Sequence, residues 1–369
     1  MNAKLWPTWL PLRNDLRNLS PYGAPQLPAE ATLNTNENPY SPSTELIAAI
    51  TSRVSQVASS LNRYPDRDAT KLRSELANFI NELSGTGFTE ESIWAANGSN
   101  EILQSLMLAF GSRPALGFTP SYSMHPLIAK VVGVDWHDGG RRADFSLDID
   151  VASRQILQLC PALTFITTPN NPTGTKISIS DLEVLAQATK AVEGVLVVDE
   201  AYAEFDEEAS AVTLIAKYPN LVVVRTMSKA FAFAGARLGY LVANKEVVQS
   251  LLLVRLPYHL SALTQAAAEV ALEYRSQLLS TVARLIESRR KVVTQLEGLG
   301  LQVVPSAANF ILFTGFKVPA PQLWQMLLDR GVLIRDVGLS GYLRATIGND
   351  AENDKFVAAI DACLNGEDK

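Results

Sequence analysis

Three short runs, LTFIT ending at Thr167, VLVVD ending at Asp199 and LVVVR ending at Arg225, are apolar or β-branched at nearly every position. Such runs predict strands buried on both faces. LGFTPSY before them and LGYLVA after them read the same way. Between the first two lies SISDLEVLAQATKAV, whose apolar Leu182, Val184 and Leu185 suit a helix, with Ser180 as its cap. Strand and helix in alternation imply an α/β fold, a mostly parallel sheet covered by helices. After LVVVRTMSK the polar, small residues give way to FAFAG, which reads as the start of an apolar helix.

The flanks have other rhythms. Residues 1–42 are proline-rich, with few periodic runs, and end in the turn formers NTNENPYSPS, so they predict an N-terminal arm laid over the rest. Ser43 is placed to cap a helix carrying Leu46, Ile47 and Ile50 on one face. Asp66 or Asp68 can cap another carrying Leu72, Leu76, Phe79 and Ile80. ANGSNEILQSLML predicts a turn at Asn97 and Gly98 and a helix from about Ser99. A helical segment from about Leu263 to Leu299 precedes a C-terminal strand, helix, strand, strand, helix pattern, which is α+β in character. The expected division is the arm, a large domain over 43–255 and a smaller domain over 256–369, the arm packing with the small domain and the cleft.

Composition narrows the function. A chain of 369 residues, 47% hydrophobic and 19% charged, is long enough for about two cores. Its net charge of −6 and lack of a basic tract argue against nucleic acid. Cys160 and Cys363 are far apart, and His125, His137 and His259 are scattered, so neither a disulfide framework nor a metal site is expected. The first residues lack the apolar core of a signal peptide and no segment has membrane-spanning length, so the expectation is a cytoplasmic protein.

The chemistry lies where the core strands end. Asn171 follows the first run, Asp199 and Tyr202 the second, and Lys229 the third. In a parallel sheet these gather at one edge, where open α/β sheets bind ligands. A lysine in apolar surroundings has a lowered amine pKa and becomes a nucleophile. Pyridoxal phosphate requires this set: a lysine for its aldehyde, a carboxylate for its ring nitrogen, and donors for its phenolic oxygen, here Asn171 and Tyr202. Ser228, Arg237 and the helix start at Ser99 and Asn100 suit its phosphate, and Tyr122 suits its ring face. Taken singly, each feature also has a plain structural reading as a turn, a cap or a surface ion pair. Tyr22 on the arm can reach a cleft or simply pack.

PNNPTG, VVDEAY, TMSKAF with AGARLG, and YLRATIG, in this order, resemble the aspartate-aminotransferase-like superfamily of fold type I pyridoxal phosphate enzymes. With NTNENPYSPS, RYPD, ANGSNEIL, PSYSMH and VLIRDVG the likeness extends to the histidinol-phosphate aminotransferases and covers residues 20–350. It implies transamination between histidinol phosphate and 2-oxoglutarate, with aromatic aminotransferases and phosphothreonine decarboxylases as alternatives on the same fold. It further implies that Lys229 is the Schiff-base lysine and proton carrier, that Arg344 clamps the substrate carboxylate, and that Arg335 and Tyr22 meet the substrate phosphate. Tyr64 is expected to reach the cofactor of a partner subunit in a homodimer. The sequence departs from the pattern at Asn100, where many members are acidic, and at Ser41, where glycine is common.

Overall fold

The computed structural model describes residues 6–206 and 208–366, so Glu207 and the outermost ends of the expected arm and small domain lie outside the described residues. In chain order the elements begin with β1 (Ala31–Thr32), α1 (Thr44–Ala58), α2 (Thr70–Ser84), β2 (Ile93–Ala96) and α3 (Ser99–Phe110). Next come β3 (Ala115–Gly117), α4 (Met124–Val132), β4 (Trp136–Asp138), α5 (Ile149–Leu159), β5 (Leu163–Thr167), α6 (Ile179–Ala191), β6 (Val195–Asp199), β7 (Leu221–Thr226) and β8 (Gly239–Val242). The remainder is α7 (Lys245–Leu251), α8 (Ala262–Glu273), α9 (Arg275–Gly298), β9 (Gln302–Val303), β10 (Phe310–Thr314), α10 (Ala320–Asp329), β11 (Val332–Leu333), β12 (Leu343–Thr346) and α11 (Asp350–Asn365).

The apolar runs form a seven-stranded sheet ordered β2-β8-β7-β6-β5-β3-β4. Six of its strands, β2, β4, β3, β5, β6 and β7, run in the same direction, and β8 alone runs against its neighbours β7 and β2. Every residue of β7 is buried. Each large apolar side chain there contributes about 1.5–3 kcal/mol as an upper estimate, which makes this strand the centre of the core. Arg225 is the exception in it. Its guanidinium is held by Glu200 at 2.8 Å and Glu204 at 3.0 Å, all three groups being buried. Removing Arg225 would leave both buried carboxylates without their cation, at a cost of about 3–5 kcal/mol.

The antiparallel sheet β12-β10-β9 and the parallel pair β1-β11 lie beside this layer. β1 belongs to the expected arm, so the polar segment after it is anchored to the C-terminal part: Ala31 and Thr32 register with Val332 and Leu333, and the Leu33 carbonyl accepts from the Thr346 N–H. Among the described residues no helix is long and apolar enough to cross a membrane.

Several local expectations need correction. α6 is capped by Ser178, whose hydroxyl accepts from the Asp181 N–H, while Ser180 lies inside the first turn. Neither Asp66 nor Asp68 is the N-cap of α2. Ala69 holds that position in a left-handed conformation, the Asp66 carboxylate accepts from the Thr70 N–H at 2.8 Å, and Asp68 is taken by Arg67 and Arg255. Ser43 caps α1 as expected. FAFAG forms no helix beyond a single 3-10 turn over Ala234–Ala236, because the chain must turn back at once to enter β8. The helical stretch beyond Leu263 is two helices, interrupted at Tyr274.

Candidate active site

The parallel arrangement of β5, β6 and β7 brings their C-terminal ends together, and a cleft of about 500 Å³ opens there. Lys229, Asp199, Tyr202, Asn171, Ser99, Asn100, Tyr122, Ser228, Arg237, Tyr22, Arg335 and Arg344 all line it. Tyr64 does not. It is 78% exposed and stacks on Tyr258 with ring centroids 4.3 Å apart.

Lys229 follows β7 by three residues. Its amine donates to the Thr35 carbonyl at 2.9 Å. Its pKa is lowered to about 8, mainly by burial and then by the positive charges of Arg344 and Arg237, with Glu37 opposing them. Asp199 ends β6 and is buried, with Oδ2 facing His125 Nε2 at 3.1 Å and Oδ1 accepting from the Ala201 N–H. Tyr202 is buried, and its phenol pKa is raised by that burial, with Arg344 acting against it. Asn171 stands between two groups: its Oδ1 accepts from Arg344 at 2.6 Å and its Nδ2 donates to the Tyr202 hydroxyl at 3.4 Å. Arg344 also donates to the Asn34 carbonyl at 2.8 Å, and burial lowers its pKa to about 10, which leaves it cationic at neutral pH. Backbone hydrogen bonds in both directions join Arg335 to Arg344, so two guanidinium groups enter the cleft from neighbouring extended segments.

At the other end of the cleft, α3 begins without a side-chain cap. Its first N–H groups therefore lack partners from a capping residue, and they carry the positive end of the helix dipole. Two glycines allow the approach of neighbouring groups. A Cβ on Gly98, whose φ is +84°, would lie 2.6 Å from Arg237, and one on Gly239 would lie 2.4 Å from the Ser99 nitrogen. Strand register explains the gathering: Ala96, Gly239 and Thr226 share one row across β2, β8 and β7, so the residues after β2 and β7 emerge side by side. Ser228 and Arg237 complete this cradle, with Arg237 Nη1 3.5 Å from the Ser228 hydroxyl.

Some participants carry no sequence signal. His125 was one of three scattered histidines, and only the fold brings it to Asp199. Asn34, Thr35, Asn36 and Glu37 line the cleft from a segment that reads as turn formers. Its density of hydrogen-bonding side chains after an apolar strand was the available clue.

Fold and cleft together define an α/β enzyme of the aspartate-aminotransferase-like class. A family model described as aminotransferase class I and II matches residues 30–360. A histidinol-phosphate aminotransferase from Mycobacterium sp. (strain JLS) is 55% identical over 353 residues, covering 95% of this chain and 93% of the relative. The solved histidinol-phosphate aminotransferase of Sinorhizobium meliloti, in complex with pyridoxal-5'-phosphate, has a TM-score of 0.84 at 22% identity, covering 97% of this chain and 98% of that one. L-threonine-O-3-phosphate decarboxylase from Porphyromonas gingivalis has a TM-score of 0.76 at 23% identity, over 91% of this chain and 99% of that one. The fold is thus common to several activities, and the closer sequence relationship selects among them: the chain belongs to the class I and II aminotransferases and, within them, to the histidinol-phosphate aminotransferases.

Pyridoxal 5'-phosphate fits the residues present. A buried carboxylate, a buried lysine of lowered pKa and an uncapped helix start, kept open by Gly98 and Gly239, match its ring nitrogen, aldehyde and phosphate.

Proposed function

We propose that the chain catalyses the reversible transfer of an amino group from L-histidinol phosphate to 2-oxoglutarate, giving imidazole-acetol phosphate and L-glutamate, a step of histidine biosynthesis. The observation that carries this reading is the pair of guanidinium groups, Arg335 and Arg344, joined through their backbones and entering the same cleft as Lys229. They give one cleft two seats for anions. Arg344, buried and cationic, suits the α-carboxylate of glutamate. Arg335, with Tyr22 beside the opening, suits the phosphate of histidinol phosphate, which has no carboxylate.

When bound, pyridoxal 5'-phosphate supplies an aldehyde for amine exchange and a ring that accepts the electron pair left at the α-carbon. Lys229 Nζ takes the proton from the substrate α-carbon and later returns one, which requires a neutral amine; a pKa near 8 leaves an appreciable neutral fraction at neutral pH. Asp199, its carboxylate fixed by His125, would face the ring nitrogen and keep a proton there. Asn171 and Tyr202 would serve the phenolic oxygen, Tyr122 would pack on the ring, and Ser99, Asn100, Ser228 and Arg237 would hold the phosphate.

In this reading residues 43–255 form a large cofactor-binding domain and 256–369 a small one, with the arm over 1–42 between them, and the enzyme is cytoplasmic. It works as a homodimer in which Tyr64 completes the partner's site. Leu253 and Leu256 are 85% and 76% exposed, and a second, more apolar cavity of about 1390 Å³ lies between the arm, α3, α4 and the segment containing Leu256. A second copy would cover these surfaces.

The test is a set of half-reactions followed in the visible spectrum of the cofactor-loaded enzyme. Glutamate and histidinol phosphate are expected to bleach the visible band, with phenylalanine and phosphothreonine slow or inert. Failure of glutamate to change the spectrum would remove the transaminase reading, and release of carbon dioxide from phosphothreonine would favour the decarboxylase. Arg335→Ala should weaken histidinol phosphate by about 10- to 100-fold, as loss of a charge-assisted hydrogen bond does, and leave glutamate nearly unaffected. Equal losses for both substrates would count against Arg335 as the phosphate seat.

A further inference from the structure

We infer that Asn36, locked by Thr346, is a positioning residue that aims the hydroxyl proton of Tyr202 into the cleft. This rests on the reading above, in which Tyr202 serves the phenolic oxygen of pyridoxal phosphate. A phenol oxygen has one proton to give and two lone pairs to accept with. Tyr202 accepts from Asn36 Nδ2 at 2.9 Å and from Asn171 Nδ2 at 3.4 Å. Both are amide N–H groups. Among the described residues no group accepts the Tyr202 proton in return, so the only direction left for it is the cleft that the ring lines.

The orientation of Asn171 is secured because its oxygen faces Arg344, which can only donate. That of Asn36 is secured by Thr346 on β12. The Asn36 backbone N–H donates to the Thr346 hydroxyl at 2.9 Å, and that hydroxyl donates to Asn36 Oδ1 at 3.0 Å. The amide nitrogen is thereby turned to Tyr202. Asn36 is 1% exposed and sits at φ +56°, a left-handed conformation that asparagine tolerates better than most residues. Its carbonyl accepts from Asn309 Nδ2 at 3.0 Å. The short path Thr346–Asn36–Tyr202 therefore joins the three-stranded sheet, the arm and the end of β6.

Donation by two amides also strengthens the phenol as a donor, since linked hydrogen bonds polarise one another. A cofactor oxygen that receives a firm hydrogen bond holds its negative charge more readily. The deprotonated form of the bound cofactor is stabilised, and the pH at which its visible band changes is lowered.

The experiment is a spectroscopic pH titration of the loaded enzyme and its variants. Tyr202→Phe should move the transition upward. Asn36→Ala should move it upward by roughly half to one pH unit, the value of one weakened hydrogen bond. Asn36→Asp should move it further, because a carboxylate in the same position takes the Tyr202 proton for itself. In the double variant, Asn36→Ala should add nothing to Tyr202→Phe. If Tyr202→Phe shifts the transition while the Asn36 variants do not, or if the shifts simply add in the double variant, the role of Asn36 is overturned and the cofactor reading survives. If Tyr202→Phe itself leaves the transition in place, the assignment of Tyr202 fails and the inference with it. Should Asn36→Ala not fold, Thr346→Val keeps the side-chain shape, removes the lock and carries the same expectation of an upward shift.

Discussion

The Lys229 amine rests on the Thr35 carbonyl, buried and close to two arginines, so its proton is held less firmly than a surface lysine's. A protonated amine has no lone pair with which to attack an aldehyde. Below the folded pKa the charged form prevails and capture of the cofactor is slow; above it the neutral form prevails. The rate at which the apoprotein develops its visible band on mixing with pyridoxal phosphate should therefore rise with pH and level off above about 8. An ordinary lysine would still be gaining rate near 10.5, its unshifted value. A rate that climbs through that higher range without levelling would contradict the burial argument. Lys229 was legible in the sequence because it closely follows a run of buried β-branched residues. His125 and Asn36 were not, since each acts through a contact made across the fold, with Asp199 and with Tyr202.

Elements place these residues by register and by the starts of helices. Gly239, the first residue of β8, lies against the Ser99 nitrogen, and both atoms belong to backbone that cannot swing away. Gly239→Ala should cost about 1–3 kcal/mol in denaturant unfolding, the usual penalty for overpacking, and weaken pyridoxal phosphate measurably in a binding titration. Gly298→Ala provides the contrast. A Cβ there meets nothing within 4 Å at the end of α9, so it should be neutral or slightly stabilising by the helix preference for alanine, up to about 1 kcal/mol. Equal stability for the two variants would show that the cradle is not tightly packed. At this scale the apolar periodicities identified the central strands and most helices, but not the short β1 and β4 or the helices α4, α5 and α7. Details set by competition were less legible: Ser178 and Ser180 have the same chemistry, and only the path of the chain decides which hydroxyl meets a free N–H. The expected helix after Lys229 failed because FAFAG is apolar through its burial beneath the cleft, a cause that periodicity does not separate from helix packing.

The whole molecule carries exposed apolar surface where a second copy is proposed. Placing charges there with Leu253→Asp and Leu256→Asp should convert the proposed dimer into a monomer in sedimentation, with most of the activity lost, since in that proposal each cleft draws a tyrosine from its partner. A variant that remains dimeric would show that the contact lies elsewhere. The class of fold was legible because buried parallel strands have an unmistakable pattern. The partnership of β1 with β11 was less so, since two residues on each side give too short a pattern to read, and the pairing joins nearly opposite ends of the chain.

The row Ala96–Gly239–Thr226 has a consequence for how the protein comes to exist. β2 and the start of α3 are synthesised well before β8, yet the anion seat is complete only when β8 has slotted between β2 and β7. No shorter fragment of the nascent chain owns the seat. The ligand therefore binds the finished fold and has nothing comparable to hold in the unfolded one, and each tenfold rise of free ligand above its dissociation constant adds about 1.4 kcal/mol to native stability. Chains without the cofactor should therefore sit in a shallower free-energy well, with greater exposure to proteolysis than loaded ones.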